Sequence, residues 1–449
     1  MRKPLALALA VLSVGSAWAA LRPEPAPAVA LTPERPLWSP DRLPALLAEA
    51  QGTVDLERAV DQLLGRFHSC VAVYEGDRPV LLRQPDRPLT PASTQKLLVA
   101  AVALAVLGPD FRFETKVVAA EPPRDGVAGA LWLVGSGDPF LSTPEYADFL
   151  AAKPRDQDRK PTPLAEVADG LVKAGIRGVP GGIRGDDSRY DRIRAVPTWK
   201  PSYIIESEIG PLGALVVNGG FSTFTPPERR AADPAAHAAG ELARLAHDRG
   251  VDVPLAGESG TAPEHAVTVA AVRSEPLREI VAAMLRESDN LAAELLTKEV
   301  GRLRAGEGST AAGTAAVTRE LAGLGLPVAG LRLGDGSGLE VTNTATCTLL
   351  ASVLRRGPRG GASLRDLLPV AGRSGTLVKR LVDTPLAGRL AAKTGSLEGV
   401  TGLAGFLDGR RQLSFALLAN GAFSEAGGRL LQDRLAALLA MYPGPQPQL

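Results

Sequence analysis

Residues 91–107 read PASTQKLLVAAVALAVL, a short polar segment followed by a long apolar run. Its part from Leu97 to Leu107 is almost wholly apolar. A helix that is apolar all round is buried, and this run is too short to span a bilayer. The pattern predicts a buried helix from Ser93 to about Leu107, with Ser93 and Lys96 one turn apart on the same face.

Strand-like segments occur near both ends of the chain, outside this helix. On the N-terminal side they follow a predicted helix at 44–66 and cover 70–74 and 80–83. On the C-terminal side they precede a predicted amphipathic helix at 426–441 and cover 390–393, 401–407 and 412–419. Asp408-Gly409 is a two-residue hairpin signal. We expect an α/β (α+β) fold in which both chain ends share one antiparallel sheet flanked by helices.

The middle of the chain has a different sequence pattern, in which short strand-like segments alternate with glycine and proline turns and no internal repeat occurs. We therefore predict a discontinuous domain from 44–108 and 270–449. A large, mostly β insertion of one or two small subdomains at 109–269 would interrupt it, and a division into two would fall near 195.

The N-terminus has the layout of a secretory signal peptide. Arg2 and Lys3 precede an apolar run that ends at Ala17-Trp18-Ala19, an A-x-A cleavage site. Residues 1–19 are predicted to be removed, and the proline-rich residues 20–43 to form an extended leader. The expected location is the periplasm or cell envelope, and peripheral membrane association stays open.

Composition excludes several classes of function. The net charge of +1 comes with no basic stripe, which argues against nucleic acid. The four histidines have no metal-ligand spacing, so we expect no metal and no cofactor. Cys70 and Cys347 are read most simply as small buried residues, although export would permit a disulfide and the sequence leaves the pairing open.

Three short motifs point to acyl transfer. In Ser93-Thr94-Gln95-Lys96, a serine hydroxyl becomes a nucleophile when a neighbouring base takes its proton, and lysine can be that base where burial lowers its pKa. Ser288-Asp289-Asn290 opens a second predicted helix and would otherwise be read as an N-cap. Lys393-Thr394-Gly395-Ser396 lies on a predicted strand, where glycine often marks close approach of a ligand.

In the order S-x-x-K, S-x-N, K-T-G, the set resembles that of the penicillin-recognising serine enzymes. Intervals of 195 residues from Ser93 to Ser288 and 105 from Ser288 to Lys393 resemble the class C low-molecular-mass penicillin-binding proteins. That family comprises D-alanyl-D-alanine carboxypeptidases and endopeptidases. The segments GSGDPFL (135–141), GDGSGL (334–339) and LPVAGRSGTL (368–377) agree with this resemblance, whereas Asp289 departs from the Asn more usual there.

The resemblance implies a role for each motif residue. Ser93 would form an acyl-enzyme, Lys96 would take its proton, and Ser288 would relay protons. The substrate would be held by Asn290, Lys393, Thr394, Gly395 and Ser396, with peptidoglycan peptides as substrates and β-lactam antibiotics as acylating ligands. Asp187 in the insertion is a further candidate, to pair with the amino group of a diamino acid in the peptide stem.

Three rivals remain. A β-lactamase on the same scaffold would need a dedicated deacylating carboxylate, which we cannot place, and class A β-lactamases have a far shorter first interval. An esterase is disfavoured by the complete K-T-G motif. A non-catalytic wall-binding protein would be expected to have lost a motif residue, and none is lost.

Overall fold

The computed structural model describes residues 43–153, 159–357 and 363–444. The predicted signal peptide, and the predicted leader except its last residue, lie outside the described residues. The chain divides into two units, Met1–Ala50 and Gln51–Leu449, and all the strands lie within the second.

The strands are short in the middle of the chain and longer at its ends. They are β1 (His68–Glu75), β2 (Arg78–Arg83), β3 (Glu114–Ala119), β4 (Leu131–Val134), β5 (Leu141–Ser142), β6 (Thr162–Pro163), β7 (Ile183–Asp186), β8 (Phe221–Thr223), β9 (Arg229–Arg230), β10 (Glu258–Ser259), β11 (Val267–Arg273), β12 (Leu390–Leu397), β13 (Val400–Asp408) and β14 (Gln412–Asn420).

The helices are α1 (Leu43–Leu64), α2 (Lys96–Leu107), α3 (Pro144–Ala151), α4 (Leu164–Lys173), α5 (Pro201–Ile205), α6 (Pro234–His247), α7 (Leu277–Glu287), α8 (Asn290–Ala305), α9 (Thr310–Gly323), α10 (Cys347–Arg356), α11 (Leu364–Leu367) and α12 (Glu425–Met441). Among the residues described, no helix is long and apolar enough to cross a membrane.

The two ends of the chain share one antiparallel sheet, as predicted. Its strand order is β12-β13-β14-β1-β2. The N-terminal hairpin joins the C-terminal strands through β1 and β14, where Cys70 lies opposite Leu418. Helix α12 packs against β13, and α10 packs against β14. The α/β (α+β) fold class is thereby confirmed.

Helix α2 lies in the core but begins later than predicted. From Leu97 to Leu104 each side chain is at most 3% exposed. Ser93 belongs to a 3₁₀ turn, Ala92–Gln95, in which Thr94 donates from both its backbone N and its Oγ1 to the carbonyl of Pro91. The predicted start at Ser93 is therefore wrong by one turn, because this tighter local hydrogen bonding replaces the first α-helical turn.

Cys70 and Cys347 form a disulfide with a Cα–Cα distance of 5.9 Å. Both residues are fully buried, as expected, and they are also bonded. The bond joins β1 to the first residue of α10, and α10 packs on β1. The sequence left this pairing open because the packing of α10 on β1 brings together residues that are 277 positions apart.

A second sheet is built from the middle of the chain. Its order is β10-β7-β4-β3-β11, with β4, β7 and β10 parallel and the other pairs antiparallel. Helices α4 and α6 pack on it over a separate apolar core. We propose that the insertion predicted at 109–269 contains this sheet and continues to the end of β11 at Arg273. A boundary near 195 would cut through the sheet, since its strands come from both sides of that residue.

Candidate active site

An open cleft of about 1040 Å³ contains residues of all three motifs. Motif residues on its wall are Ser93, Ser288, Asn290, Thr394 and Ser396. The two motif lysines are fully buried behind these residues. The structure thus brings together residues that are up to 303 positions apart in the sequence, from Ser93 to Ser396.

Lys96 joins the first motif to the second. Its Nζ donates to Ser93 Oγ at 2.9 Å and to Asn290 Oδ1 at 2.8 Å. The same Nζ donates to the carbonyl of Ser337 at 2.6 Å. Asn290 in turn donates from Nδ2 to the carbonyl of Glu208 at 2.9 Å, so its amide is held on both sides. Lys96 Nζ is therefore placed within proton-transfer distance of the Ser93 hydroxyl.

The loop that presents Ser337 is held by two buried acidic side chains. Asp335 is fully buried and accepts from Trp199 Nε1 at 2.9 Å, from Asn343 Nδ2 at 2.7 Å and from backbone N–H groups within its own loop. Glu294 Oε1 accepts from the backbone N of Ser337 at 2.7 Å. A loop with this many internal bonds is rigid, so its carbonyl is a fixed acceptor for Lys96.

The surroundings of Glu294 favour its neutral form. Burial and, after it, the charge of Asp335 raise the pKa of Glu294 to about 8, and hydrogen bonds from Ser337 and Gly336 oppose the rise only in part. A buried carboxyl that stays neutral avoids placing a second negative charge next to Asp335.

Lys393 joins the third motif to the second. Its Nζ donates to Ser288 Oγ at 2.8 Å and to the carbonyl of Thr394 at 2.8 Å. Ser288 connects α7 to α8 in the left-handed conformation, with φ 61° and ψ 37°. Few residues other than glycine adopt this conformation. It directs a side chain from a tight turn toward the strand that carries Lys393.

Strand β12 passes close to the Ser93 turn at Gly395. A Cβ on Gly395 would lie 2.8 Å from the carbonyl of Pro91 and 3.2 Å from Ser93 N. Only glycine lets the two backbones approach this closely. Thr394 Oγ1 donates to Thr376 Oγ1 at 3.1 Å, so both hydroxyls face the same part of the cleft.

The structure does not bring Asp187 to the cleft. Its side chain is 3% exposed and forms an ion pair with Arg194 at 2.5 Å. It directly follows β7 of the second sheet and is not among the residues lining the cleft. The predicted pairing with a diamino acid is therefore not supported by its position, because its carboxylate is neutralised within the protein.

Other residues of the site were not singled out from the sequence. The Ser337 carbonyl, Thr376 and Arg159 contact or flank motif residues. Two of them lie in segments that the resemblance did identify, GDGSGL and LPVAGRSGTL. Arg159 lies between α3 and β6, outside any motif of the resemblance. Within the described ranges no cluster of His, Cys, Asp and Glu is arranged to hold a metal ion.

A family model for the D-Ala-D-Ala carboxypeptidase 3 (S13) family matches residues 56–228 and 222–442, which is most of the chain. The chain belongs to this family. It is therefore an enzyme of the serine-type D-Ala-D-Ala carboxypeptidase class, and the resemblance to class C low-molecular-mass penicillin-binding proteins is confirmed.

Relatives of similar length support this assignment. A carboxypeptidase of Mycobacterium tuberculosis is 35% identical over 396 residues, which are 85% of this chain and 81% of the relative. A D-alanyl-D-alanine carboxypeptidase of an Actinomadura species is 31% identical over 89% of this chain and 87% of its own length. Penicillin binding protein 4 of Haemophilus influenzae has the same fold, with a TM-score of 0.68 at 21% identity over 86% of this chain and 99% of that chain.

Proposed function

We propose that this S13 enzyme cleaves D-alanyl-D-alanine peptides of peptidoglycan through an acyl-enzyme on Ser93, with Lys96 as the base. The observation that carries the assignment is the 2.9 Å contact between Lys96 Nζ and Ser93 Oγ at the wall of the cleft. Asn290 and the Ser337 carbonyl orient the lysine, so that its neutral form presents a lone pair to the hydroxyl proton.

Acylation begins when Ser93 Oγ attacks the carbonyl carbon between the two D-alanines and Lys96 takes the Oγ proton. The oxyanion of the tetrahedral intermediate is held by the backbone N–H groups of Ser93 and Ser396. Strand β12, which carries Ser396, can lie close to the Ser93 turn because Gly395 has no side chain. The C–N bond then breaks, and a proton passes through Ser288 to the leaving amine. Water hydrolyses the acyl-enzyme with the proton transfers reversed.

Lys393 and Thr394 recognise the free carboxylate of the terminal D-alanine. A buried ammonium and a threonine hydroxyl form charge-assisted hydrogen bonds with a carboxylate. A β-lactam carries a carboxylate and a strained amide in a similar arrangement, so it acylates the same serine. The endopeptidase reaction uses the same chemistry at a cross-link to a D-centre.

We also propose that the protein is exported to the cell envelope. The signal-peptide pattern at 1–19 and the location of peptidoglycan outside the cytoplasmic membrane both support export. A bonded cysteine pair agrees with an oxidising compartment.

The test uses the purified chain, penicillin and intact-mass spectrometry. Wild type is expected to gain the mass of one penicilloyl group and to release D-alanine from a stem pentapeptide. Ser93→Ala should do neither, whereas Ser259→Ala, an exposed serine whose Oγ bonds Asp233, should behave as wild type. A wild type that forms no adduct and releases no D-alanine would overturn the proposal. Rapid penicillin hydrolysis without a lasting adduct would favour a β-lactamase.

A further inference from the structure

The turn that carries Ser288 has an acidic residue on each side. Glu287 ends α7, and Asp289 caps α8 by accepting from the backbone N of Ala292 at 2.7 Å. The Glu287 side chain is 2% exposed and that of Asp289 is 14% exposed. Two neighbouring carboxylates that both stay charged at a largely buried position are stabilised by a cation that pairs with both.

Arg159, from the middle segment of the chain, supplies that cation. Its Nε donates to Glu287 Oε2 at 2.6 Å, and its Nη2 donates to both Glu287 Oε2 and Asp289 Oδ2, the latter at 2.6 Å. The guanidinium lies 4.7 Å from the ring of Phe140. Burial alone would lower the pKa of Arg159, but the charges of Asp289 and Glu287 outweigh this and hold it above its usual range.

The geometry of the guanidinium matters because it joins the residue before Ser288 to the residue after it. A planar fork spans two carboxylates in fixed directions, which a lysine ammonium does not. Ser288 itself has the left-handed backbone conformation, which costs a non-glycine residue free energy and persists only where the surroundings hold it. The clamp made by Arg159 is one such restraint, and it acts on both flanks of the serine.

We propose that Arg159 is a positioning residue for the acylation step: by holding Glu287 and Asp289 together it fixes the turn that directs Ser288 Oγ to Lys393. This inference rests on the proposed function, since it requires Ser288 to take part in proton transfer. Arg159 lines the cleft, and its hydrogen bonds among the described residues go to Glu287 and Asp289 rather than to Ser93 or Lys96. We therefore assign its effect to its hold on the turn that carries Ser288.

The experiment measures saturation kinetics of penicillin acylation, which separate the acylation rate constant from the binding constant. Arg159→Gln is expected to lower the acylation rate constant about 10- to 100-fold, the effect of a small misplacement of a catalytic group, with little change in binding. Arg159→Lys should restore only part of the rate, because it keeps the charge without the fork. Arg249→Gln removes another arginine of the middle segment, ion-paired with Asp169, and serves as the matched control.

Three further variants decide how the effect arises. If Arg159 acts through Ser288, then Arg159→Gln should cost nothing more in a Ser288→Ala background, since coupled residues are non-additive. The triple variant Arg159→Gln, Glu287→Gln, Asp289→Asn removes the buried charges together and keeps the test available if Arg159→Gln alone does not fold. It too should acylate slowly, because the clamp is gone while the fold is retained.

Each contrary result has a distinct meaning. A folded Arg159→Gln, or a folded triple variant, that acylates at the wild-type rate overturns the inference. So does a weakened binding constant with an unchanged acylation rate constant, which would make Arg159 a ligand-binding residue. A Ser288→Ala variant that acylates normally contradicts the relay role in the proposed function, and the inference falls with it; the penicilloyl adduct on Ser93 would be unaffected by that outcome.

Discussion

The two lysines of the site are equally buried but are held differently. Lys96 donates to oxygens from three segments, namely Ser93, Asn290 and Ser337. Lys393 donates to Ser288 and to the carbonyl of its own neighbour in the strand, Thr394. The first lysine contacts a rigid buried loop, whereas the second contacts a turn with a strained backbone. A serine enzyme can thus place its base and its proton relay by separate means.

The largest loss of acylation is expected from a substitution at Lys96. Lys96→Met keeps the length of the side chain and removes the base, so the penicillin acylation rate should fall by about 10²–10⁴-fold, the usual contribution of a positioned base. Stopped-flow or quenched mass spectrometry would measure the loss. A decrease of less than tenfold would show that another group takes the Ser93 proton.

Lys393→Met should have a smaller effect that depends on the substrate. For penicillin or a D-alanyl peptide, kcat/KM should fall about 10- to 100-fold, because a charged hydrogen bond of roughly 1.5–3 kcal/mol to the carboxylate is lost. For an acyl ester without that carboxylate the loss should be clearly smaller. An equal loss for both substrates would assign Lys393 to proton transfer alone and would remove the difference between the two lysines.

Glu294→Gln tests the loop that fixes Lys96. The amide oxygen still accepts from Gly336 and Ser337, so acylation should change by no more than about threefold, less than 1 kcal/mol.

The stability of the protein should respond more strongly than acylation to this substitution. The pKa of Glu294 is about 8 in the folded state and near 4.5 ordinarily, so the unfolded chain releases a proton that the folded protein keeps. The contribution of this group to the free energy of unfolding therefore falls as pH rises from about 4.5 to about 8, and it stays constant above that.

Melting curves of wild type and Glu294→Gln between pH 5 and 9 would check this sign. The Tm of the variant relative to wild type should rise with pH across the interval. Parallel curves would mean that Glu294 is ionised throughout, and the loop would then be held by two charged carboxylates.

Removing the disulfide should leave both lysines unaffected. The pair Cys70→Ala, Cys347→Ala is expected to lower the free energy of unfolding by about 2–5 kcal/mol, since the crosslink restrains a long loop in the unfolded chain. Acylation at 25 °C should match wild type, because neither β1 nor α10 carries a motif residue. Urea titration and acylation kinetics on the same sample would separate the two effects, and a slowed acylation would show that β1 transmits strain to the site.

Local sequence accounts well for the motif residues and poorly for their supports. A serine three residues before a lysine ahead of an apolar helix, and K-T-G on a strand, have chemistry that can be read directly. An acidic residue after a strand does not reveal its partner, so the sequence could not show that Asp187 forms an ion pair with Arg194. Arg159 was missed because its two carboxylates lie 128 and 130 positions away.

The sequence alone showed the order of the motif residues. It also predicted the buried helix behind Lys96 and the sharing of one sheet by the two chain ends. Those features follow from local periodicity and from side-chain chemistry. The tertiary structure was needed to show that Cys70 bonds to Cys347 and that Ser93 lies in a 3₁₀ turn. It was also needed to show that Asp335 holds the Ser337 loop and that Arg159 pairs with the residues flanking Ser288. The disulfide and the contacts of Asp335 and Arg159 join segments that are far apart in the sequence. The 3₁₀ turn depends on which hydrogen bond a single residue makes. Periodicity along the chain reports neither.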